Sequence, residues 1–233
     1  MRKFTRLLTA GIAIAAAVAT RAGADEQGPS QEAFAPKSGK GPVAVVISGQ
    51  SGPTHYRDYA AAVAALGYYT VLIDGRDILT REQDGAANLR AVIARARQAP
   101  AALPGKAAVI GFSQGGGGVL AHAVAMPELV SMAVAYYPAL SWSHNIEGLA
   151  RRIKLPLLVL AGERDDYRRC CLVEYMRTLE TAAKAQGAPL ALVVYPQAGH
   201  GFTLPGRRYR PDDTADAWRR TSEMLARYQP RAQ

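Results

Sequence analysis

A serine lies between two glycines where an apolar run gives way to a helical stretch. Residues Gly111 to Gly115 read Gly-Phe-Ser-Gln-Gly and fit the pattern G-x-S-x-G. At such a strand-to-helix turn the serine hydroxyl projects above the sheet, and the flanking glycines let the two backbones cross closely. The pattern therefore predicts Ser113 as a nucleophile and the Gln114 backbone N–H, at a helix N-terminus, as an oxyanion donor. The alternative is a glycine-rich turn that happens to contain a serine.

A serine hydroxyl needs a base to take its proton, and the sequence offers four histidines for that role. His200 lies directly after the last apolar run, in a loop that can reach back to Ser113. His122 falls inside the helix that follows the serine, which suits packing or pocket lining. His144 lies in an irregular stretch, and His55 precedes the first helix. We therefore predict His200 as the base, with an exposed loop histidine as the alternative.

The carboxylate that orients the base is expected at the end of the preceding strand. Residues 157–161 form an apolar run that continues into Gly-Glu-Arg-Asp-Asp over residues 162–166. Asp165 has the G-x-x-D spacing and is the predicted acid, and its neighbour Asp166 is the alternative. The resulting order of serine, aspartate and histidine matches the hydrolase order rather than those of chymotrypsin or subtilisin.

A second oxyanion donor is expected in the loop after the first core strand. Residues 46–53 read Val-Ile-Ser-Gly-Gln-Ser-Gly-Pro, and the N–H groups of a glycine-containing turn can converge on one point. Gln50 is the predicted donor and Ser51 is the second choice. An ordinary strand-to-helix loop is the alternative to both.

Two adjacent cysteines, Cys170 and Cys171, follow the predicted acid. Neighbouring residues have Cα atoms about 3.8 Å apart, closer than in most disulfides, so the sequence favours buried or half-buried free thiols. A vicinal disulfide is the alternative in an oxidising compartment, where it would brace the loop that holds Asp165. No histidine lies at ligand spacing from the pair in the sequence, and we predict no metal site.

These side chains must be positioned by alternating strands and helices. Apolar, β-branched runs predict strands at residues 43–48, 69–74, 107–112, 132–137, 157–161 and 190–195. Helical stretches separate or follow them at residues 56–66, 81–99, 115–125, 172–186 and 214–228. Most of the strands are apolar throughout, as in a parallel sheet covered on both faces. The pattern predicts the α/β class: a doubly wound, mostly parallel sheet of six to seven strands with helices on both faces.

The chain has 233 residues, enough for one domain with a sizeable core, and its 49% hydrophobic content is typical of globular proteins. A basic start, an apolar run over residues 7–20 and small residues at 22–24 predict a signal peptide at 1–24. An uncleaved anchor is the alternative, although the apolar run is short for a membrane span. A flexible lead-in is predicted at 25–41 and a single domain at 42–229. Cleavage would leave a periplasmic or secreted protein without a membrane segment.

The formal net charge is +9, and removal of residues 1–24 leaves +5. Basic clusters occur at residues 151–154, 168–169, 207–210 and 219–220. They are scattered between elements and do not form one stripe with interleaved aromatics, so we predict solvated surfaces and no nucleic-acid partner. Arg207 and Arg208 follow His200 closely in the sequence. We therefore also consider the hypothesis that one of them attracts an anionic substrate.

The chain resembles the dienelactone hydrolase family of the α/β-hydrolase superfamily over residues 43–228. The resemblance lies in segments 111–116, 162–166 and 199–202, with 56–60 and 66–68 between the first two strands. It implies an α/β-hydrolase fold and hydrolysis of esters or lactones by a nucleophile–His–Asp triad without a metal. Founding members of the family use a cysteine nucleophile, whereas this chain has Ser113. Relatives often have His-Gly after the first strand, where this chain has Ser48 and Gly49.

Together these features predict an exported serine esterase or lactonase that acts on a small-molecule ester or lactone. Ser113 would attack the acyl carbon, His200 would shuttle the proton and Asp165 would orient the imidazole; no cofactor is predicted. The segment 139–152 has room for only a small cap, so we expect an open or shallow pocket. The alternatives are a small peptidase or acyltransferase on the same site and a non-catalytic binding module for a small ester-like ligand.

Overall fold

A seven-stranded sheet forms the centre of the computed structural model, which describes residues 28–231. The strands lie in the order β1-β3-β2-β4-β5-β6-β7, and every neighbouring pair is parallel except β1 with β3. In chain order they are β1 (Gln31–Phe34), β2 (Val43–Ile47), β3 (Tyr69–Ile73), β4 (Ala107–Phe112), β5 (Val130–Tyr136), β6 (Leu157–Gly162) and β7 (Leu190–Tyr195). The predicted α/β class is confirmed, and β2 to β7 coincide with the six predicted strands.

Helices cover both faces of this sheet. In the part of the chain that the structure describes they are α1 (Arg57–Ala65), α2 (Gly85–Arg97), α3 (Gln114–Ala121), α4 (Ile146–Ala150), α5 (Val173–Ala185) and α6 (Pro211–Tyr228). Helices α1 and α6 contribute to one core, and α2, α3 and α5 contribute to the other. Alternate strand residues face alternate cores; in β2, for example, Val45 joins one and Val46 the other. Strands buried on both faces must be apolar at successive positions, which explains the runs in the sequence.

Part of the predicted flexible lead-in at 25–41 is a strand. Residues Gln31–Phe34 form strand β1, which pairs antiparallel with β3 and has Gln31 opposite Ile73. The segment contains the charged Glu32 and lies between glycine-containing stretches, so its local pattern carries no strand signal. Pairing with the edge of β3 orders the segment instead.

The predicted domain at 42–229 contains strands β2 to β7 and helices α1 to α6. The predicted signal peptide at 1–24 lies outside the described residues, as do residues 25–27 of the lead-in. Among the helices of residues 28–231, none combines the length and the apolar character that crossing a membrane requires.

Helix starts differ from the predicted ones by more than one residue at two places, each with a local cause. Helix α2 begins at Gly85 rather than at residue 81, because the Asp84 side chain accepts a hydrogen bond from the Ala87 N–H at 3.0 Å. Helix α6 begins at Pro211 rather than at residue 214, because the fixed φ of proline suits the first turn of a helix. The short helix α4 lies within the predicted cap at 139–152.

Close packing accounts for the glycine-rich start of helix α3. A Cβ atom on Gly115 would lie 2.5 Å from the Ile47 carbonyl oxygen, and one on Gly117 would lie 2.4 Å from the Ala139 carbonyl oxygen. Real side chains do not approach backbone oxygens so closely, so these two positions require glycine. The glycines therefore let the start of α3 lie directly against the end of β2 and the loop after β5.

Candidate active site

Ser113 lies at the junction between strand β4 and helix α3, where the sequence analysis expected it. Strand β4 ends at Phe112 and α3 begins at Gln114, so Ser113 alone makes the turn. Its φ of 50° and ψ of −110° are sparsely populated by non-glycine residues, and such backbone strain clusters at functional sites. The side chain makes no hydrogen bond that caps the helix, which leaves the hydroxyl available to another partner.

Two hydrogen bonds join three of the predicted residues into one chain of side chains. Ser113 Oγ lies 2.9 Å from His200 Nε2, and His200 Nδ1 lies 2.9 Å from Asp165 Oδ2. Ser113 is 8% exposed and Asp165 is 3% exposed, so both bonds lie where the local dielectric is low and polar interactions are strong. Because Nδ1 faces a carboxylate, we assign its proton there, and Nε2 is then free to accept from the serine hydroxyl.

The three residues meet because each follows the carboxyl end of a strand in the same sheet. Ser113 follows β4, Asp165 follows β6 and His200 follows β7, and these strands run parallel. The carboxyl ends of parallel strands lie on the same side of the sheet, where loops from different strands can meet. The serine and the histidine therefore touch although they are 87 residues apart in sequence.

The histidine contacts Asp165 and not the neighbouring Asp166. Asp166 is exposed, and its backbone carbonyl accepts a hydrogen bond from the Arg169 N–H at 3.2 Å. Asp165 Oδ1 accepts a hydrogen bond from the Tyr167 N–H at 3.2 Å, so both oxygens of this carboxylate have partners. The second bond fixes the orientation of the carboxylate relative to the imidazole.

Both predicted oxyanion donors lie beside Ser113. Gln50 and the second choice, Ser51, form a tight turn closed by a 3.1 Å backbone hydrogen bond between residues 52 and 49. The Gly115 N–H donates to the Ser48 carbonyl at 3.1 Å, which fixes this turn next to the start of α3. Gln114 is the first residue of that helix, so its N–H has no carbonyl partner within the helix.

Two open clefts meet at the serine. One has a volume of about 320 Å³ and the other about 590 Å³, and both have Gln50, Ser113 and Tyr167 in their walls. The smaller cleft also contains His200 and the loop that follows it, whereas the larger one extends to Leu79, Trp142 and Cys170. A substrate whose reacting carbon lies at Ser113 therefore has room on both sides of the bond to be broken.

The walls of both clefts carry positive charge. Arg207 and Arg208 line the smaller cleft, and Arg81 and Arg168 line the larger one. No aspartate or glutamate of the described chain lines either cleft. The arginines therefore create a positive field beside the serine.

Known proteins share both this sequence pattern and this fold. The sequence profile of the dienelactone hydrolase family matches residues 74–229, a segment that contains Ser113, Asp165 and His200. The chain belongs to the dienelactone hydrolase family. The resemblance noted from the sequence is thereby confirmed.

One curated protein and two solved structures show how far this similarity extends along the chain. A carboxymethylenebutenolidase from Pseudomonas sp. is 34% identical over 149 residues, which cover 64% of this chain and 58% of the relative. A protein from Klebsiella pneumoniae, provisionally described as a dienelactone hydrolase, superposes with a TM-score of 0.71 at 20% identity over 85% of this chain and 100% of its own. The acylaminoacyl peptidase of Pyrococcus horikoshii superposes with a TM-score of 0.68 at 17% identity, over 85% of this chain and 39% of its own. The two superpositions show a shared fold.

The chain spans about half the length of the first curated relatives that it matches. The matched segments cover 58%, 45% and 46% of the Pseudomonas, Escherichia coli and Salmonella typhimurium proteins. Family membership therefore rests on the profile match over residues 74–229.

Three tyrosines of this dienelactone hydrolase family member lie at the site and were not predicted from the sequence. The Tyr167 ring stacks on the His200 imidazole, with centroids 4.5 Å apart and planes 10° apart. The Tyr137 ring meets the same imidazole edge-on, at a centroid distance of 5.1 Å. Tyr56 is almost fully buried and lines the smaller cleft. Only Tyr167 has a sequence signal, since it lies two residues after the predicted acid Asp165.

Burial keeps two of these tyrosine hydroxyls protonated. It raises the pKa of Tyr56, while the Gly49 backbone and the side chains of Ser51 and Tyr137 act in the opposite direction. Burial also raises the pKa of Tyr137 well above its ordinary value, and the Tyr137 hydroxyl lies 2.9 Å from Thr203 Oγ1. Both groups are therefore neutral hydroxyls at neutral pH and do not offset the positive field of the clefts.

The other three histidines lie outside the chain of hydrogen bonds. His122 is half-buried at the end of α3, where burial and the charge of Arg152 lower its pKa, so it is neutral at pH 7. His144 lines the larger cleft, and His55 lines a neighbouring groove that shares Tyr56 and Leu204 with the smaller cleft. Their positions agree with the expectation that His200 alone contacts the serine.

Cys170 and Cys171 form a disulfide, so the expectation of free thiols is wrong. Their Cα atoms are 3.8 Å apart, which is close but does not prevent the bond. The chain fold also brings a histidine to the pair, since the two sulfurs and one ring nitrogen of His200 lie within 4.8 Å of one another. The sulfurs are bonded to each other and both ring nitrogens have partners, so these atoms are not an open ligand set. The absence of a metal site stays a prediction.

Proposed function

We propose that this protein is a serine hydrolase that cleaves carboxylic esters or lactones through Ser113, His200 and Asp165. The observation that carries the proposal is the chain of two 2.9 Å hydrogen bonds between these side chains. A nucleophile needs a base in contact and a buried carboxylate behind that base, whereas a binding protein needs neither. Membership of the dienelactone hydrolase family and similarity to a carboxymethylenebutenolidase support the ester or lactone class of substrate.

The reaction begins when Ser113 Oγ attacks the acyl carbon while His200 Nε2 takes the serine proton. Asp165 holds the opposite ring nitrogen and stabilises the imidazolium that forms. The bond between the acyl carbon and the alcohol oxygen then breaks, and the imidazolium gives its proton to that oxygen. Water attacks the acyl-enzyme with His200 as base, which releases the acid and restores the serine. With a lactone, the acid and the alcohol leave as one molecule.

Backbone N–H groups of Gln114 and Gln50 hold the oxyanion of the tetrahedral intermediate. Gln114 lies at the N-terminus of α3, where free N–H groups and the helix dipole favour negative charge. Gln50 lies at a turn that the Gly115–Ser48 backbone bond fixes beside this helix. In comparable sites, one such donor contributes about 10²- to 10³-fold to kcat.

A panel of esters, lactones and amides tests the proposed function. We expect turnover of short p-nitrophenyl esters and small lactones, because the clefts are open and the cap contains only the short helix α4. Peptide amides and added alcohol acceptors, assayed in parallel, separate a peptidase or an acyltransferase from a hydrolase of esters. Binding of these esters without turnover at any pH of the assay would contradict the proposal.

The arginines beside His200 predict a preference for anionic esters that weakens with salt. For an ester with a carboxylate on its acyl side, we expect kcat/KM to fall by about threefold between about 10 mM and about 300 mM salt, since salt screens the attraction. The neutral ester of the same length should change little. Arg208→Gln should reduce the salt response, because this guanidinium lies over Tyr167, at 5.8 Å from the ring centroid, and lines the smaller cleft.

Lys40→Gln is the matched control for this charge change. Lys40 precedes strand β2 and lines a cavity at the amino ends of strands β2 and β3, on the side of the sheet opposite the serine. Loss of one positive charge there should leave the salt response of the anionic ester unchanged. An equal response of the anionic and neutral esters in the unsubstituted protein would count against the role of the arginines.

We also propose that residues 1–24 direct export, so that the mature protein begins at Asp25 in the periplasm or outside the cell. The basic start, the apolar run and the small residues before Asp25 support this proposal. The Cys170–Cys171 disulfide agrees with an oxidising compartment. N-terminal sequencing of the protein from periplasmic and culture fractions tests it. A full-length chain that fractionates with the membrane would contradict it.

A further inference from the structure

We propose that the Cys170–Cys171 disulfide is a positioning element for the catalytic His200, so that full kcat requires the oxidised bridge. The proposal rests on the hydrolase function proposed above. Its basis is the loop of residues 165–171, which carries the acid at one end and the bridge at the other.

This loop contacts His200 at its start and its middle and lies close to it at its end. At the start, Asp165 Oδ2 lies 2.9 Å from Nδ1. In the middle, the Tyr167 ring stacks on the imidazole at a centroid distance of 4.5 Å. At the end, the sulfurs of Cys170 and Cys171 lie within 4.8 Å of a ring nitrogen. A movement of the loop would therefore shift the acid and the stacked ring relative to the imidazole.

The middle of the loop has a backbone conformation that local preference does not maintain. Arg168 has a φ of 47° and Arg169 a φ of 53°, and both values lie in the left-handed region that residues with a Cβ avoid. Both residues are exposed, so burial of apolar surface does not offset this cost. Such a conformation persists only where the flanking residues impose it.

The flanking residues are held at both ends of the loop. Asp165 is buried and hydrogen-bonded on one side. On the other side, Cys171 is 1% exposed, and the Cys170 carbonyl accepts hydrogen bonds from the N–H groups of Leu140 and Ser141 at 2.7 and 3.2 Å. The disulfide joins the cleft-lining Cys170 to the buried Cys171. Because a peptide bond also joins these two residues, the bridge closes a small ring that restrains the backbone at the end of the loop, where the sulfurs lie within 4.8 Å of a ring nitrogen of His200.

Reduction of the bridge removes this restraint on the backbone, although the peptide bond between the two cysteines remains. The S–S bond breaks, two electrons come from the reductant, and each sulfur gains a proton. The left-handed residues then relax, Tyr167 leaves the imidazole, and fewer molecules hold His200 aligned with Ser113. Tyr167 also lines both clefts, but the serine turn and the Gln50 turn belong to other elements and stay in place. For a substrate as small as p-nitrophenyl acetate we therefore expect the larger effect on kcat and a smaller one on KM.

The test compares kcat and KM for p-nitrophenyl acetate before and after reduction with tris(2-carboxyethyl)phosphine, which is converted to its oxide. Thiols are counted in denaturant with Ellman's reagent and should rise from none to two per chain. We expect kcat to fall about tenfold while KM stays within about twofold, and kcat to recover on reoxidation. The low-field proton NMR signal of the His200 Nδ1–H should weaken in the reduced protein.

The double variant Cys170→Ser with Cys171→Ser is the matched control. It should have the kcat of the reduced protein and should not respond to the phosphine. Thermal unfolding, followed by circular dichroism, accompanies each kinetic measurement. The proposal is overturned if reduced protein with two counted thiols keeps kcat within about twofold of the oxidised value. It is equally overturned if the loss of activity equals the loss of folded protein.

Failure of this proposal differs from failure of the hydrolase proposal. If only the positioning role is wrong, oxidised and reduced proteins hydrolyse the ester at equal rates. If the hydrolase function is wrong, neither form hydrolyses any ester of the panel, and both proposals fall.

Discussion

Ser113→Ala is expected to lower kcat/KM for p-nitrophenyl acetate by about 10⁴- to 10⁶-fold without unfolding the protein. The hydroxyl that lies 2.9 Å from His200 Nε2 is the only atom of this residue that can form the acyl bond. Alanine keeps the backbone turn between β4 and α3, so the clefts and the binding of substrate remain. Initial rates with substrate in excess, together with circular dichroism of the variant, measure both parts of the expectation.

Ser141→Ala is the matched control for this substitution. Ser141 is exposed and lines the larger cleft near Trp142. Loss of its hydroxyl should therefore change kcat/KM by no more than about threefold, as for surface substitutions that touch no reacting group. A Ser113→Ala protein that keeps more than about one hundredth of the activity would show that another group attacks the ester.

Asp165→Asn is expected to lower kcat by about 10³- to 10⁴-fold. The carboxylate accepts a hydrogen bond from His200 Nδ1–H at 2.9 Å and from the Tyr167 N–H at 3.2 Å. An amide at this position offers a donor to Nδ1 and so favours the ring tautomer whose Nε2 carries the proton and cannot accept one from Ser113. It also removes the negative charge that stabilises the imidazolium. Steady-state kinetics with the same ester give the size of the effect.

The adjacent Asp166→Asn serves as the control for Asp165→Asn. Asp166 is exposed, and its hydrogen bond to Arg169 uses the backbone carbonyl, which the substitution leaves in place. We expect kcat to change by less than about threefold. If Asp166→Asn were the more damaging of the two, the assignment of the acid would be wrong.

The class of fold could be predicted because strands buried on both faces leave a clear trace in the sequence. Strands β2 to β6 are buried along nearly their whole length and therefore appear as unbroken apolar runs. Strand β1 and helix α4 left no such trace, because they have four and five residues. The four-residue β1 is ordered by pairing with β3, and short-range patterns do not record this contact.

The positions of Ser113, Asp165 and His200 could be predicted because each follows an apolar run, and parallel strands bring their carboxyl ends together. The contacts that the surrounding tyrosines make with these residues could not be predicted. Tyr137 directly follows the buried strand β5, and its sequence context is that of an ordinary core residue. Its contact with His200 depends on a loop 63 positions away in the chain. Side-chain contacts between distant loops are set by tertiary packing, which local residue patterns do not encode.

The state of the two cysteines also depended on tertiary structure. Cys170 and Cys171 follow Arg168 and Arg169, which have left-handed backbone conformations. Such conformations are usually predicted from glycine, and neither residue is a glycine. The sequence therefore favoured free thiols over a bridge. The folded chain forms the bridge and brings it to His200, which no spacing rule anticipates.

Labelling with a fluorophosphonate probe, followed by peptide mass spectrometry, tests most directly whether residue 113 is an activated nucleophile. We expect a single adduct per folded chain, on the peptide that contains Ser113, and labelling that is lost in His200→Ala, where no base takes the serine proton. The account would be contradicted by an adduct on a different serine. It would also be contradicted by folded, ester-hydrolysing protein in which Ser113 stays unlabelled.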